Sequence, residues 1–180
     1  MHLRPPFSGL AALPLAAALA AAATALPVTA AARADTVGDA QVIDSGTIEI
    51  ARRRIRLYGI DAPDPQQRCD GLDGRSWACG LRAAAYLHEL VGGRRIACIA
   101  HGRDRDGDTV ATCFDGAADL ARAMVRAGYA IALPYVTEDY VADESAARTQ
   151  AVGMWSGRFE TPAGWRRTHG ASAQGAESGR

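Results

Sequence analysis

Arg56-Leu57-Tyr58-Gly59-Ile60-Asp61-Ala62-Pro63-Asp64 is a short β-like run that ends in an acidic, proline-containing bend. Ile55, Leu57 and Ile60 favour a strand, and Pro63 stops the ladder because it has no amide proton to donate. Upstream, Val42, Ile43, Thr47, Ile48 and Ile50 make another β-rich segment, broken at Ser45-Gly46, so a strand pair is predicted with a turn inside or beside it. Downstream, Asp61 to Gly74 is rich in Asp, Pro and Gly and predicts a long irregular loop, a kind of segment that often carries function.

Helical periodicity begins after that loop. Leu81, Ala84, Leu87 and Val91 recur at helical spacing from Gly80 until Gly92-Gly93 stops them. Arg95 to Ala100 and Thr109 to Phe114 read as strands around His101 to Asp108, where Asp106-Gly107 is a favourable hairpin dipeptide. Asp119 is placed to cap a second helix through Leu120, Ala123, Met124 and Ala127, with Gly128 at its left-handed exit. A third helix is predicted from the acidic Thr137-Glu138-Asp139 towards Trp155, and the small, polar residues 168–180 read as a disordered tail. The order predicts an α+β domain over residues 35–167: a small antiparallel sheet or barrel with helices packed on it.

Residues 1–34 are read as an export signal. His2 and Arg4 open it, Leu10 to Leu26 run apolar, and Ala32-Arg33-Ala34 supplies a small-residue cleavage site before Asp35. Of the 20 basic residues, all arginine, 18 lie beyond position 34 against 20 acids, giving the 146-residue mature chain a net charge of −2. That balance excludes nucleic-acid binding by bulk positive charge, so polyanion contact requires local arginine clusters. Export places the chain in the periplasm or outside the cell, with no membrane anchor expected and a monomer as the expected state. Cys69, Cys79, Cys98 and Cys113 then read as two disulfides, since their spacing fits no zinc motif. Three pairings are open; Cys69 with Cys79 and Cys98 with Cys113 are favoured, one stapling the loop and one cross-linking neighbouring strands. No catalytic thiol is implied.

Val42-Ile43-Asp44-Ser45-Gly46-Thr47-Ile48, the block from Arg56 to Asp64, and Arg103-Asp104-Arg105-Asp106-Gly107-Asp108 together resemble the staphylococcal nuclease (thermonuclease) family. Asp119-Leu120 to Gly128-Tyr129-Ala130, Tyr140-Val141 to Gly153-Met154-Trp155 and Arg158-Phe159-Glu160 extend the resemblance over nearly all of residues 41–167. It implies a five-stranded OB-fold barrel with three helices, of a type that often binds nucleic acid on one face. Phosphodiester hydrolysis requires a carboxylate for water, a hard cation on a phosphate oxygen and guanidinium groups for the charge growing in the transition state. In that family the first turn reads Val-x-Asp-Gly-Asp-Thr and contributes a Ca²⁺ ligand, a Glu after the Pro of the block is the base, and a second Arg closes a hairpin.

Carried over by position, the resemblance makes Arg56 and Asp64 the catalytic positions and Asp61 and the Thr47 carbonyl the metal ligands. Three positions are altered. Gly46 stands in place of a metal carboxylate; Asp64 replaces the base Glu, which shortens its reach by about 1.5 Å and alone costs roughly 100-fold through misplacement. Asp108 stands where the second Arg is expected, and its charge at about 5 Å from a phosphate, in an effective dielectric of about 20, opposes binding by roughly 3 kcal/mol before screening. Arginine contacts of this kind are worth about 10³ to 10⁵ in rate in other phosphate enzymes. The expectation is therefore a family member with a degenerate site and little or no nuclease activity, needing no cofactor and retained as a binding or structural module. The alternative is an active Ca²⁺/Mg²⁺-dependent phosphodiesterase on DNA or RNA, with Asp61, Asp64 and Asp108 as a rebuilt metal site.

Simpler readings stand beside these. Asp44 and Thr47 serve a turn and a strand, and Arg56 pairs with Asp61 or Asp64 to orient the pocket. Asp104, Asp106 and Asp108, with Asp115 at the twelfth place, echo an EF-hand loop, but Thr109 occupies its glycine position and the flanks are strands. Arg52-Arg53-Arg54, Arg94-Arg95 and Arg166-Arg167 are candidates to track a single-stranded nucleic acid, with Tyr58 and Tyr135 as stacking platforms. His88 and His101 show no metal or nucleophile spacing and are read as surface residues. The chemistry of any protein partner is not written in the sequence.

Overall fold

The computed structural model describes residues 34–177, with side chains to residue 169. The export segment read in residues 1–34 lies almost wholly outside that range. β1 (Thr36–Val42) turns through Asp44 and Ser45 into β2 (Thr47–Ile50), which turns at once into β3 (Arg53–Leu57). All of these pairings are antiparallel. The second turn places Ala51 and Arg52 at φ +49° and +63°, a backbone that side chains other than glycine rarely adopt. β4 (Ile60–Asp61) follows, then β5 (Cys69–Gly71) and β6 (Ser76–Trp77), and α1 (Cys79–Val91) packs its buried face into the core.

β7 (Arg95–Arg103) and β8 (Thr109–Asp115) form the long hairpin expected around Asp106-Gly107, with Gly107 at φ +85°. β7 pairs with β1, and β8 returns to lie parallel to β3, so β3, β2, β1, β7 and β8 close into a five-stranded mixed barrel. β9 (Ala118–Asp119) leads into α2 (Leu120–Arg126), where the Asp119 carboxylate accepts the Arg122 amide as an N-cap. β10 (Ile131–Ala132) pairs with β4, and α3 (Val141–Thr149) is followed by a 3₁₀ turn at Gly153–Ser156. β11 (Gly157–Arg158) pairs with β5, and α4 (Pro162–Glu177) ends the described chain.

The alternation of the strands sends Ile48, Ile50, Ile55, Leu57 and Ile96 inward against Ala83, Leu87 and Val91 of α1 and Leu120, Met124 and Val125 of α2. Leu81, expected in the buried stripe of α1, is instead 60% exposed; Ala83, at i−4 from Leu87, takes that place. Cys69–Cys79 and Cys98–Cys113 are the bridges formed, as favoured from the sequence, and free cysteines are absent. Two bridges fit folding in an oxidising compartment. Among the described residues no helix is long and apolar enough to cross a membrane.

Three local expectations are corrected. The loop from Asp61 to Gly74 contains paired strand, because Asp70 and Gly71 meet Arg158 and Gly157 far along the chain. Gly157 permits this: a Cβ there would lie 1.9 Å from the Asp70 carbonyl. The third helix is shorter than expected, starting at Val141 and ending before the 3₁₀ turn. The tail assigned to residues 168–180 is largely the fourth helix, α4. The Thr161 hydroxyl accepts the Gly164 amide at 3.2 Å and Pro162 occupies the first helical position, a pairing that starts a helix even where no apolar period follows.

Candidate functional site

The β1–β2 turn, the outer side of β3, the Asp61–Pro65 bend, the β7–β8 turn and α4 converge on one pocket of about 170 Å³. Its lining contains Gly46, Thr47, Arg56, Asp61, Asp64 and Asp108, so the residues singled out from the sequence do meet in space. Five aspartates (44, 61, 64, 106 and 108) and three arginines (54, 56 and 166) give the lining a net charge of −2. A larger groove of about 640 Å³ beside Trp77, Leu81 and Tyr129 is more open, and Arg82 is the one charged residue in its lining.

Each part of the pocket is held by its neighbours. The Asp44 carboxylate accepts the Gly46 amide at 2.8 Å, and the Ser45 hydroxyl donates to the Pro63 carbonyl, tying the turn to the bend. The bend is pressed against the start of α1, where a Cβ on Gly80 would lie 1.7 Å from the Asp64 carbonyl oxygen. Across the pocket, the Asp104 carboxylate accepts the amides of Asp106 and Asp108, which shapes the hairpin as a side-chain-supported turn.

The charges do not pair as expected. Arg56 reaches Asp104 at 3.5 Å rather than Asp61 or Asp64, and Arg54 reaches Asp108 at 3.1 Å. The parallel register of β3 beside β8 causes this, since it sets Arg54 and Arg56 beside the β7–β8 turn. Asp61, nearly buried, is met by Arg166 of α4 at 2.6 Å, and the same guanidinium reaches the Ala62 carbonyl at 3.4 Å. Arg166, grouped with Arg167 as a nucleic-acid contact, is therefore turned into the protein. Arg54 and Arg166, expected from the sequence only as contacts along a nucleic acid, are the pocket residues it did not assign to this site; a separation of 105 positions between Arg166 and Asp61 leaves no local signal.

The donors fit a calcium ion poorly. The Thr47 carbonyl, expected as a ligand, accepts the amides of Ile43 at 2.9 Å and Asp44 at 3.3 Å in the β1–β2 turn, which uses both of its lone pairs. Gly46 contributes no carboxylate, and Arg166 holds Asp61. Among the described residues no cluster of three acids, histidines or cysteines is arranged around a metal position, and Asp61, Asp64 and Asp108 do not form one. Beside the pocket, Tyr58 stacks on His101 with ring centroids 3.8 Å apart, while Tyr135 is 83% exposed. His88 is exposed, as expected.

A closed five-stranded mixed barrel capped by helices, with an Asp/Arg pocket where its first turn, its third strand and a hairpin meet, defines an OB-fold α+β domain of the nuclease type. A family model described as "Staphylococcal nuclease homologue" matches residues 54–157, more than half of the chain, and the chain belongs to that family. It is 34% identical over 128 residues to the succinoglycan biosynthesis protein ExoI of Rhizobium meliloti (strain 1021), covering 69% of this chain and 66% of that protein. It is also 26% identical over 117 residues to an uncharacterized endonuclease of Haemophilus influenzae, covering 63% and 60% respectively. The chain thus spans slightly under two thirds of the length of each of these relatives.

Proposed function

We propose that this chain is a nuclease-family barrel that has lost hydrolytic competence and acts as a binding or structural module in the periplasm or outside the cell. The observation that carries the reading is the pairing of Asp108 with Arg54 and of Asp104 with Arg56. Arg56, the arginine the family uses on its phosphate, is turned to a carboxylate of its own chain, and Asp108 brings negative charge where a second guanidinium is expected. Both effects oppose an oxyanion transition state. The pocket's charge of −2 and its lack of a gathered metal site support the same conclusion.

The candidate occupant of the wider face is single-stranded nucleic acid, stacked on the Tyr58–His101 pair and on Tyr135. Family membership and the likeness to a protein named as an endonuclease favour a second reading, an active divalent-metal phosphodiesterase. The relative named for succinoglycan biosynthesis favours neither. The test is incubation of the oxidised protein with labelled single-stranded DNA and RNA in Ca²⁺, in Mg²⁺ and in chelator. The expected result is intact substrate in every arm, with binding, where present, that weakens as salt rises. Metal-dependent cleavage lost in Asp61→Ala would establish the phosphodiesterase instead.

A further inference from the structure

Arg166 is a cation delivered to the pocket from outside the barrel. Asp61 sits on the short strand β4, and its carboxylate is almost shielded from water. A polar group shielded from water is costly to bury unless a partner satisfies it. The barrel has two arginines nearby, but register commits them to Asp108 and Asp104. The partner comes instead from α4, whose entry is fixed by the β11–β5 pairing and by the Thr161 cap. One nitrogen of the guanidinium takes the Asp61 carboxylate and the other takes the adjacent Ala62 carbonyl. A carboxylate and a carbonyl one residue apart are the hard oxygen donors that a divalent cation would bridge.

Resting on the reading of the pocket as non-hydrolytic, we propose that Arg166 is the resident cation of this site, holding the oxygens of Asp61 and Ala62 and excluding a divalent metal from them. Loss of metal binding then has a cause beyond the missing carboxylate at Gly46: the remaining donors are already coordinated. Gly46 itself does not obstruct a repair. Its φ is outside the left-handed range, and an added Cβ would make ordinary contact with Ala62 at 3.4 Å.

The test compares wild type with G46D, R166Q, R166K and the pairs G46D/R166Q and G46D/R166K. Binding of Ca²⁺ is read by calorimetry, Tb³⁺ by sensitised luminescence, and each protein's Tm is measured with Ca²⁺ and with chelator. A positive charge a few ångströms from a divalent ion opposes it strongly, so G46D/R166Q is expected to bind Ca²⁺ at least about 100-fold more tightly than G46D. Its Tm rises with Ca²⁺, as required of a ligand that prefers the folded state. G46D/R166K, which keeps the charge, stays as weak as G46D; a merely packing role for residue 166 would not separate Lys from Gln.

The proposal is overturned if G46D binds Ca²⁺ as tightly as G46D/R166Q, or if wild type binds Ca²⁺ at micromolar concentration with Arg166 in place. Where an Arg166 variant fails to fold, G46D decides the matter: with the carboxylate restored and Arg166 in place, continued weak binding is the expected result and micromolar Ca²⁺ binding overturns the proposal. These outcomes are separable from failure of the functional reading. Wild-type cleavage of nucleic acid defeats that reading, whereas metal binding without cleavage defeats only the role of Arg166.

Discussion

Replacing Gly80 with alanine sets two physical effects against each other, and their magnitudes decide the sign. Gly80 lies in the first turn of α1, where helix propensity alone predicts that alanine stabilises by up to about 1 kcal/mol. Its added Cβ, however, would stand 1.7 Å from the Asp64 carbonyl oxygen, 2.7 Å from the Asp64 carbonyl carbon and 3.0 Å from that of Pro65. Those atoms are backbone and cannot rotate away. Relief requires the Asp61–Pro65 bend and α1 to separate by about 1.5 Å, against the restraint of the Cys69–Cys79 bridge and of the Gly80 amide on the Gln67 carbonyl. Overpacking of this kind costs roughly 3 kcal/mol, so Gly80→Ala is expected to destabilise by about 2 kcal/mol net. With a urea dependence near 2 kcal/mol per molar, the midpoint falls by about 1 M.

Gly46→Ala is the control. Its Cβ meets only ordinary contacts at 3.4 and 3.9 Å, and its midpoint should stay within about 0.5 kcal/mol of wild type. Both variants are unfolded in urea under oxidising conditions, followed by tryptophan fluorescence. A Gly80→Ala protein as stable as wild type, or more so, refutes the argument that close approach of α1 sets the position of Asp64.

Three further outcomes are expected. Removing the Cys98–Cys113 bridge as a double serine variant should cost about 3 kcal/mol through its 15-residue separation, read as a lowered denaturation midpoint; a loss under 1 kcal/mol would mean the β7–β8 hairpin needs no staple. Tyr140 donates to Asp119 at 2.9 Å, and burial, followed by the Asp119 charge, pushes its phenol well above the ordinary value of 10.0. Its raised value gives a contribution that is complete below about pH 10 and lost as pH rises, because the unfolded chain releases the proton first; Tyr140→Phe should flatten the alkaline fall in stability. Asp119→Ala removes both the α2 cap and the Tyr140 acceptor, and should destabilise by about 1–3 kcal/mol in thermal unfolding, with less loss in a Tyr140→Phe background.

The barrel was legible because its determinants are local. Alternation in Thr47–Ile50 and Ile55–Leu57, the Asp106-Gly107 turn and the Asp119 cap act within a few residues, and each produced the expected element. Membership of the pocket was legible for a similar reason, since Gly46, Arg56, Asp61, Asp64 and Asp108 lie in or directly beside short strands and turns read from local pattern. What was not legible depends on register between distant segments. Nothing near Arg56 announces that a parallel strand will bring Asp104 to it, and nothing in Ala163-Gly164-Trp165-Arg166 announces a helix aimed at Asp61. The bonding of the Thr47 carbonyl to Ile43 and Asp44 was hidden for a related reason: a type of donor can be named from sequence, but whether its lone pairs are free depends on how the turn closes over it.

The ion pairs of the pocket share one logic. A site built to hold a divalent cation and bind phosphate needs excess negative charge at the metal and free positive charge at the phosphate. On the proposed reading, in which metal and substrate are both lost, the carboxylates would repel one another and the arginines would lack a partner, so the arrangement would persist only if the two groups neutralise each other. The three pairings Asp61 with Arg166, Asp104 with Arg56 and Asp108 with Arg54 do that, and Asp108 adds an acid where it can engage the otherwise outward Arg54. Of these three acids Asp61 is the most buried, and of the three it alone draws its partner from outside the barrel and hairpin, on a helix that β5 and β11 hold in place. Surface pairs such as Arg54 with Asp108 are worth little individually, whereas an orphaned buried carboxylate is costly. Selection on stability, with no demand for catalysis, would therefore act most strongly at Arg166. Asp61→Asn, which removes the charge and keeps the shape, should be tolerated far better than Arg166→Ala, which leaves that charge alone.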